Sequence, residues 1–355
     1  MFKPINEPNA SHVKAMDFPH QGEPEDKLRF LLNYAVLAPS SHNTQPWLWK
    51  ISGNEIELWA DTSRAMPALD PSGRELIMSC GAVLHHLRLS IRAFGYADLI
   101  SVLPEASQPH LMARVRLAKK VQASSDDKLL FRYVAERHTN RQQFENIELS
   151  PALMQVLQQE AAQEQAHLRF VQNQSERDEV IKLIEFGTLS QNHDADMRRD
   201  QADWIAPAFS SRRDGIPSRA LGISDLLSYV APFALRVLDV GETQAGNEVR
   251  IANNAPLLVV LCTDEDGPKA WLAAGQALSR VLLRARVAEV SASFFSQPIE
   301  VDKAWIQLRH AMDLHNFPQL IFRLGYAKTS DQAPATPRRA VDDMILAGSE
   351  NEDNQ

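Results

Sequence analysis

The chain has 355 residues, of which 44% are hydrophobic, and a formal net charge of −8 at pH 7. A chain of this length and composition can bury one large core or two medium ones. Its acidic balance argues against nucleic acid as the main partner, because binding to phosphates favours a basic surface. The two cysteines, Cys80 and Cys262, stand in apolar surroundings, which predicts reduced thiols and a cytoplasmic protein.

The first segment of the chain shows no targeting signal. Residues 1–27 lack the apolar stretch of a signal peptide, and we interpret them as an N-terminal extension. No run in the sequence approaches the roughly 20 apolar residues that a membrane-spanning helix needs. We therefore expect no contact with a membrane.

A polar loop follows the first apolar pattern. The spacing in residues 31–37 predicts a helix that ends near Pro39, and the alternation in residues 48–51 predicts a strand. Between them, residues 38–47 read APSSHNTQPW. Their hydroxyls, carboxamides and backbone N–H groups can face a planar polar heterocycle without offering a strong acid, base or metal ligand. We interpret this stretch as a binding loop.

The sequence repeats itself about 200 residues further on. Residues 80–95 resemble residues 274–289, with Gly81 aligned to Gly275 at an offset of 194. In both copies the apolar positions recur at helical spacing and a short apolar strand follows. A second match begins at Pro109 and Pro318, in the same order but at an offset of 209. Two matches in the same order indicate a duplicated domain.

The duplication predicts two domains of unequal length. A polar stretch at residues 121–128 marks their boundary, which gives a first domain at 28–122 and a second at 129–346. Residues 192–247 have no counterpart in the first half and contain several aromatic residues, so we expect them to form an ordered lid. The acidic residues 347–355 are predicted to be a disordered polar tail.

A basic motif opens the second half. Arg137, Thr139 and Arg141 place two rigid, permanently charged guanidinium groups around one hydroxyl. Such a set can grip a phosphate. The alternative is a solvated, charged segment between the domains.

Two further motifs stand near the carboxyl terminus. Residues 298–300 place a turn and one carboxylate directly after the strand predicted at 290–295. Arg338 and Arg339 precede a helix predicted at 341–346. The sequence contains neither a Rossmann nor a Walker glycine pattern, and no H-E-x-x-H or C-x-x-C pattern, so no metal is expected.

Together the motifs resemble those of the nitroreductase superfamily of FMN-binding flavoproteins, and more narrowly its tandem, Acg-like branch. Residues 39–47 match the P-S-S-x-N-x-Q-P-W loop completely, and residues 137–141 match R-x-[ST]-x-[RK]. The P-I-E-G turn is matched up to Val301, which replaces the glycine. Arg250 stands roughly where the family has a basic residue near the flavin N1/O2 edge. The resemblance implies these cofactor-binding residues: Pro39, Ser40, Ser41, Asn43, Gln45, Arg137, Thr139, Arg141, Arg250, Pro298, Ile299, Glu300, Arg338 and Arg339.

The resemblance also implies a fold. It is an α+β fold of two tandem domains, each a mostly antiparallel sheet flanked by helices, which form an intramolecular pseudo-dimer. The first half has the loop without the basic motif, and the second half reads EAAQEQA at residues 160–166, where its own loop would stand. We therefore predict one FMN per chain at the interface of the repeats. The expected assembly is a monomeric pseudo-dimer, with further homodimerisation left open.

Three functions follow from the resemblance. One is an oxidoreductase that takes hydride from NAD(P)H and passes it to a nitroaromatic or quinone-like small molecule. The flavin carries most of this chemistry, and Glu300 is the one carboxylate placed to take part. The alternative is an FMN-storing or FMN-sequestering protein with a lid-covered flavin and little NAD(P)H turnover. Another flavin reaction of the superfamily, such as dehalogenation, is a third option.

Overall fold

The computed structural model of the chain describes residues 13–328 and 335–346. Part of the predicted N-terminal extension and the whole predicted tail at 347–355 lie outside the described residues. Within the described ranges, no helix is both long enough and apolar enough to cross a membrane.

The first half of the chain folds around a four-stranded antiparallel sheet with the order β1-β2-β4-β3. In β1, Trp47 and Trp49 are fully buried while Leu48 between them is partly accessible, as the alternation of the sequence predicts. The first helix ends earlier than predicted, four residues before Pro39, since the chain turns at Leu37 and Ala38. The elements are α1 (Pro24–Ala35), β1 (Trp47–Ser52), β2 (Glu55–Ala60), α2 (Arg74–Ala93), β3 (Tyr96–Val102) and β4 (Leu111–Lys120).

The second half contains another antiparallel sheet, with the order β5-β8-β10-β9. Its middle strands are almost entirely buried, because they carry apolar residues on both faces. Its elements begin with α3 (Ser125–Arg132), α4 (Pro151–Gln163), β5 (His167–Val171), α5 (Gln174–His193), α6 (Ala195–Asp203), β6 (Ile205–Ala206), β7 (Ile216–Pro217), α7 (Ala231–Val237) and α8 (Gly241–Asn253). They continue with β8 (Leu257–Thr263), α9 (Pro268–Val287), β9 (Val290–Phe295), α10 (Gln297–Glu300), α11 (Asp302–Ala311) and β10 (Phe317–Tyr326).

The two sheets share one topology, which confirms the predicted α+β fold of two repeats. In each, two strands precede a 20-residue helix and two strands follow it, in the same spatial order. The repeats differ in their connections. A tight turn at residues 53–54 joins β1 to β2, whereas residues 172–256 separate β5 from β8. The domain limits at 28–122 and 129–346 stay a prediction.

The central helices α2 and α9 cross at two glycines. A Cβ atom added to Gly81 would lie 2.2 Å from the carbonyl oxygen of Leu272, and one added to Gly275 would lie 1.9 Å from that of Met78. Each glycine thus meets the residue three positions before the other, as a two-fold relation requires. His85 Nδ1 and Ser279 Oγ, 194 positions apart like the glycines, form a hydrogen bond of 2.9 Å. The repeats therefore pack as a pseudo-dimer inside one chain.

The carboxyl-terminal segment returns to the first half. Val341 and Met344 are buried in the hydrophobic core around the first sheet, and Leu346 N donates to Trp49 O at 2.7 Å. The helix predicted at 341–346 is wrong in its length, because only Asp342–Met344 form a single 3-10 turn. The segment is held by its contact with β1 rather than by a helix of its own.

The two thiols give a first testable prediction. Cys80 and Cys262 are free and buried, and burial raises the pKa of both, that of Cys262 to about 12. Because the thiolate is the reactive form, we expect iodoacetamide to leave both cysteines of the native protein unmodified. Mass spectrometry after unfolding in guanidinium chloride should show two alkylations. Fast alkylation of the folded protein would contradict the buried positions.

Candidate functional site

A cavity of about 600 Å³ lies between the two halves of the chain, beneath the insertion. One wall comes from the first half of α2, where Glu75, Met78, Ser79 and Ala82 share one helical face. Apolar and polar side chains alternate around it, which is typical of small-molecule sites. Seven of the residues predicted from the sequence line this cavity: Pro39, Ser40, Ser41, Thr139, Arg141, Arg250 and Glu300.

Residues of the insertion at 192–247 form another wall of the cavity, called the cover below, and their role as a lid stays a prediction. Gln201 of the insertion, on α6, lines the cavity, and so does Gln191, which stands on α5 just before the insertion. The apolar residues of the insertion at the cavity are Ile205, Ile216, Ala220, Leu221, Ile223, Leu235 and Val240.

Two carboxamides of the predicted binding loop hold this cover. Asn43 Nδ2 donates to Gly215 O at 2.9 Å, and Gln45 Nε2 donates to Arg213 O at 2.8 Å. Both side chains are buried, and neither lines the cavity. The structure thus gives these side chains protein partners, and their contact with a cofactor stays a prediction.

The backbone of the loop is strained where it makes these contacts. His42, Asn43 and Gln45 have φ angles of 48°, 56° and 50°, in the left-handed region that residues with a side chain seldom adopt. Such conformations persist only where surrounding contacts over-determine them, and they cluster at functional sites. Ser40 Oγ, which accepts from Gln45 N at 3.0 Å, is one of those contacts.

Two arginines from the second half are buried against the same loop. Arg338 donates through Nε to Val36 O at 2.9 Å and through Nη1 to Asn43 Oδ1 at 3.0 Å. Arg137 Nη2 and Arg338 Nη2 both donate to Leu37 O, at 3.4 and 3.3 Å. In the described part of the chain, neither guanidinium group pairs with a carboxylate. Neither Arg137 nor Arg338 lines this first cavity; both are buried against the loop beside it.

The pKa values of both arginines are lowered, because each guanidinium group is buried without a carboxylate beside it in the described residues. Burial lowers the pKa of Arg137 to about 10. Burial and the nearby charge of Arg137 lower that of Arg338 to about 9. Both groups stay protonated at neutral pH, so two close positive charges are buried here, and their partners within the described ranges are all neutral.

Arg141 places a third positive charge directly in the cavity. Among the described residues it forms neither a hydrogen bond nor an ion pair, and burial lowers its pKa while Glu248 raises it. Glu248 lies on α8 and lines the same cavity; its pKa is raised to about 7, mainly by burial. Arg250 also lines the cavity from α8 but is exposed.

A second cavity, of about 760 Å³, adjoins the first. It is lined by Arg137, His138 and Asn140, and it shares Thr139 and Phe294 with the first cavity. The basic motif predicted from the sequence therefore lies along the wall between two open spaces.

The remaining predicted residues take other positions. Arg339 turns toward the loop, where its backbone N–H donates to Gln45 Oε1 at 2.9 Å and its guanidinium group lies 3.8 Å from Asp61. Pro298 and Ile299 are buried below the cavity in the short helix α10, which replaces the open turn expected after β9. Only Glu300 of this motif reaches the cavity.

Glu300 meets an acidic residue that sequence reasoning missed. Glu75, from the other half of the chain, is buried, lines the same cavity and lies within hydrogen-bonding reach of Glu300. Burial, and then the charge of Glu75, raise the pKa of Glu300 well above its usual range. The helical spacing of Glu75 with Met78 and Ala82 was the signal available in the sequence, since it places all three on one face of α2.

Comparison with known proteins gives relatives along nearly the whole chain, although no family model matches it. The chain is 27% identical over 322 residues to "Putative NAD(P)H nitroreductase Rv3131" of Mycobacterium tuberculosis, covering 90% of this chain and 91% of the relative. It is 24% identical over 324 residues to "Putative NAD(P)H nitroreductase acg" of the same species, covering 90% and 95%. A stretch of 74 residues, 20% of this chain and 21% of the relative, is 38% identical to "Probable NAD(P)H nitroreductase PigM" of a Serratia strain.

Solved structures overlay a smaller part of the chain. The FMN and NADPH-dependent nitroreductase NfnB from sphigopyxis sp. strain HMH shares 16% identity and a TM-score of 0.39, covering 61% of this chain and 98% of its own. The FMN-dependent nitroreductase NfnB from Mycobacterium smegmatis, in complex with NADPH, shares 13% identity and a TM-score of 0.37, covering 62% and 95%.

Proposed function

Because the chain belongs to the nitroreductase superfamily, we propose that it is an oxidoreductase that binds one FMN between its two halves. In this proposal, hydride passes from NAD(P)H to a small-molecule acceptor, nitroaromatic or quinone-like. The observation that carries the proposal is a group of arginines beside the cavity that have no carboxylate partner among residues 13–328 and 335–346. The expected monomeric state and cytoplasmic location stay predictions.

The phosphate of FMN fits the arginines. Burying a charge is costly unless an opposite charge or strong hydrogen bonds compensate it. Arg137 and Arg338 have only carbonyl and carboxamide oxygens as partners among the described residues, and Arg141 has no hydrogen-bonding partner there. A phosphate dianion would supply the missing negative charge, and the hydroxyl of Thr139 between the two cavities could donate to it. We propose that these four residues hold the phosphate.

The ring system of FMN fits the larger part of the first cavity. Met78, Leu278 and Phe294 offer apolar surface for a planar heterocycle, and Ser40 and Ser41 offer hydroxyls at its edge. Arg250 lines the same cavity, and the place near the flavin N1/O2 edge that the family resemblance implies for it stays part of this proposal. When bound, FMN supplies the hydride chemistry, and the protein controls its orientation, its electronics and its access to water.

The closed cover favours a second candidate function. Asn43 and Gln45 tie the insertion to the loop, and Arg64 on the first half forms an ion pair with Asp214 of the insertion. Arg64 also lies 5.1 Å above the ring of Trp204, which fixes the same segment. A cover held in this way can block nicotinamide from the flavin. The alternative is therefore a protein that stores or sequesters FMN and turns over little NAD(P)H.

One experiment separates the candidates. The purified protein is loaded with FMN and mixed anaerobically with NADPH, NADH or dithionite while the visible flavin absorbance is followed. Bleaching by a nicotinamide nucleotide supports the oxidoreductase, and bleaching by dithionite alone supports storage. Failure to retain FMN at all would overturn both.

A matched variant tests whether the cover decides the outcome. Arg64→Met removes the tie to Asp214 without touching any residue proposed to bind the cofactor. If the cover limits access, we expect this variant to be reduced faster by NADPH than the wild type, by about tenfold for each 1.4 kcal/mol of closure that is lost. Equal rates would show that Arg64 does not control access.

A further inference from the structure

Two carboxyl groups from opposite halves of the chain meet at the wall of the first cavity. Glu75 lies in the first turn of α2, and Glu300 is the last residue of α10. Both line the cavity, and their side chains are within hydrogen-bonding reach of each other. Since the pair spans the pseudo-dimer interface, it exists only when the two repeats pack together.

A chain of hydrogen bonds holds the outer oxygen of each carboxyl. Ser41 Oγ donates to Glu75 Oε2, and Gln191 Nε2 donates to Glu300 Oε2. Gln201 Nε2, from the covering insertion, donates to Gln191 Oε1 at 3.0 Å. These contacts orient both carboxyl groups and connect them to the loop on one side and to the cover on the other.

The inner oxygens have no such donor. Glu75 Oε1 and Glu300 Oε1 are both buried, and no described residue hydrogen-bonds to either. An ionised carboxylate can only accept hydrogen bonds, so two ionised groups here would leave two buried acceptors without a donor among the described residues. A single proton between them satisfies both oxygens and removes one of two like charges.

The charged groups around the pair do not replace that proton. Asp70, before α2, adds a negative charge, and its own pKa is raised to about 6 by burial and by Glu75. His42, from the loop, has a pKa lowered mainly by burial, so its imidazole is neutral at pH 7. Arg74 forms its ion pair with Asp266, away from the pair. Arg141 and Asp200 are close enough to His42 to act on its pKa, the first lowering it and the second raising it.

We propose that Glu75 and Glu300 share one proton and deliver it to an oxygen atom of the acceptor that is reduced in this cavity. The delivery step rests on the proposed function, which supplies the hydride. A quinone that gains one hydride and one proton becomes a hydroquinone. The hydride adds to one quinone oxygen, the π electrons shift through the ring onto the other oxygen, that oxygen takes the shared proton as the carboxyl O–H bond breaks, and the pair regains a proton from solvent. The site thus favours acceptors whose reduction creates an oxyanion.

The shared proton is tested without activity. The infrared spectrum of protein labelled with ¹³C-glutamate is recorded at about pH 8, where Glu248, with a pKa of about 7, is mostly ionised. We expect one protonated glutamate band in the wild type and in Glu248→Gln, and its loss in the double variant Glu75→Gln/Glu300→Gln. Absence of the band in the wild type, or its survival in the double variant, would overturn the pair.

Proton delivery is tested by comparing two acceptors. Ferricyanide takes electrons alone, whereas a benzoquinone also needs a proton. We expect Glu75→Gln to lower the quinone rate by about 100-fold or more, the usual contribution of a general acid, and to leave the ferricyanide rate unchanged. Glu248→Gln is the control, because it removes a carboxyl from the same cavity but not from the pair.

The outcomes separate the two proposals. If the wild type reduces neither acceptor with NAD(P)H, the oxidoreductase function fails and proton delivery fails with it, while the infrared result still decides the shared proton. If the wild type reduces both and Glu75→Gln does so equally fast, only proton delivery is overturned. Equal loss with both acceptors, in a variant with an unchanged melting temperature, would assign Glu75 to flavin binding instead and also overturn delivery.

Discussion

Replacing Gly275 with alanine is expected to destabilise the folded chain by at least about 3 kcal/mol, the upper end of the usual cost of overpacking. The new methyl carbon would lie 1.9 Å from the carbonyl oxygen of Met78, which belongs to the backbone of α2 and cannot rotate away. Relief therefore requires the two central helices to separate, which would also open the cavity between the halves. Urea unfolding of wild type and variant, with midpoint and slope both compared, measures the effect.

A second glycine provides the matched control. Gly246 lies inside α8, and an added Cβ atom would meet nothing within 4 Å. Gly246→Ala should therefore leave the protein unchanged or stabilise it by up to about 1 kcal/mol, the helix preference for alanine over glycine. If Gly275→Ala were as stable as Gly246→Ala, α2 and α9 could not cross at these glycines.

Replacing Arg137 with methionine is expected to weaken FMN binding by about 10- to 100-fold. The estimate takes about 1.5–3 kcal/mol for a lost hydrogen bond between charged groups. Without FMN, the same variant should be as stable as the wild type or more stable. Its guanidinium group is buried beside that of Arg338 with no carboxylate partner in the described residues, and methionine removes that uncompensated charge. Titration calorimetry with FMN and thermal melting of the apoprotein measure the two effects.

A variant that binds FMN more weakly but has an apoprotein at least as stable as the wild type has lost a binding residue and not a structural one. Arg116→Met on β4 is the control, because the Arg116 side chain is 55% exposed and pairs with Glu55 at the surface. It should change neither quantity by more than a few tenths of a kcal/mol. Full FMN affinity in Arg137→Met would move the phosphate site elsewhere. Loss of apoprotein stability would show that Arg137 serves the fold through its bond to Leu37 O instead.

Residues near each other in sequence were predicted well. The alternation in β1, the apolar run of β9 and the helical period in α2 and α9 come from local sterics and burial, which each segment carries in its own residues. The internal repeat predicted two similar folding units, and the shared strand order confirms them. The chemistry of Arg137 and Arg141, two fixed charges around a hydroxyl, could also be predicted from residue types alone.

Contacts between residues distant in sequence were not predicted. The partners of Asn43 and Gln45 are carbonyls 172 and 168 positions away, while the predicted contact of these side chains with a cofactor stays a prediction. The guanidinium group of Arg338 binds carbonyls about 300 positions earlier. No local pattern encodes such partners, because they depend on how the repeats pack.

The sequence by itself determined the two repeats, the apolar elements and the set of residue types for a phosphate and a planar ring. Only the tertiary structure decided which side chains share the cavity. It brought Glu75 to Glu300 across the pseudo-dimer interface and set the insertion over them. The physical reason is that an unpaired buried charge or acceptor is a property of three-dimensional surroundings, which a residue acquires only when the remote half of the chain removes its water.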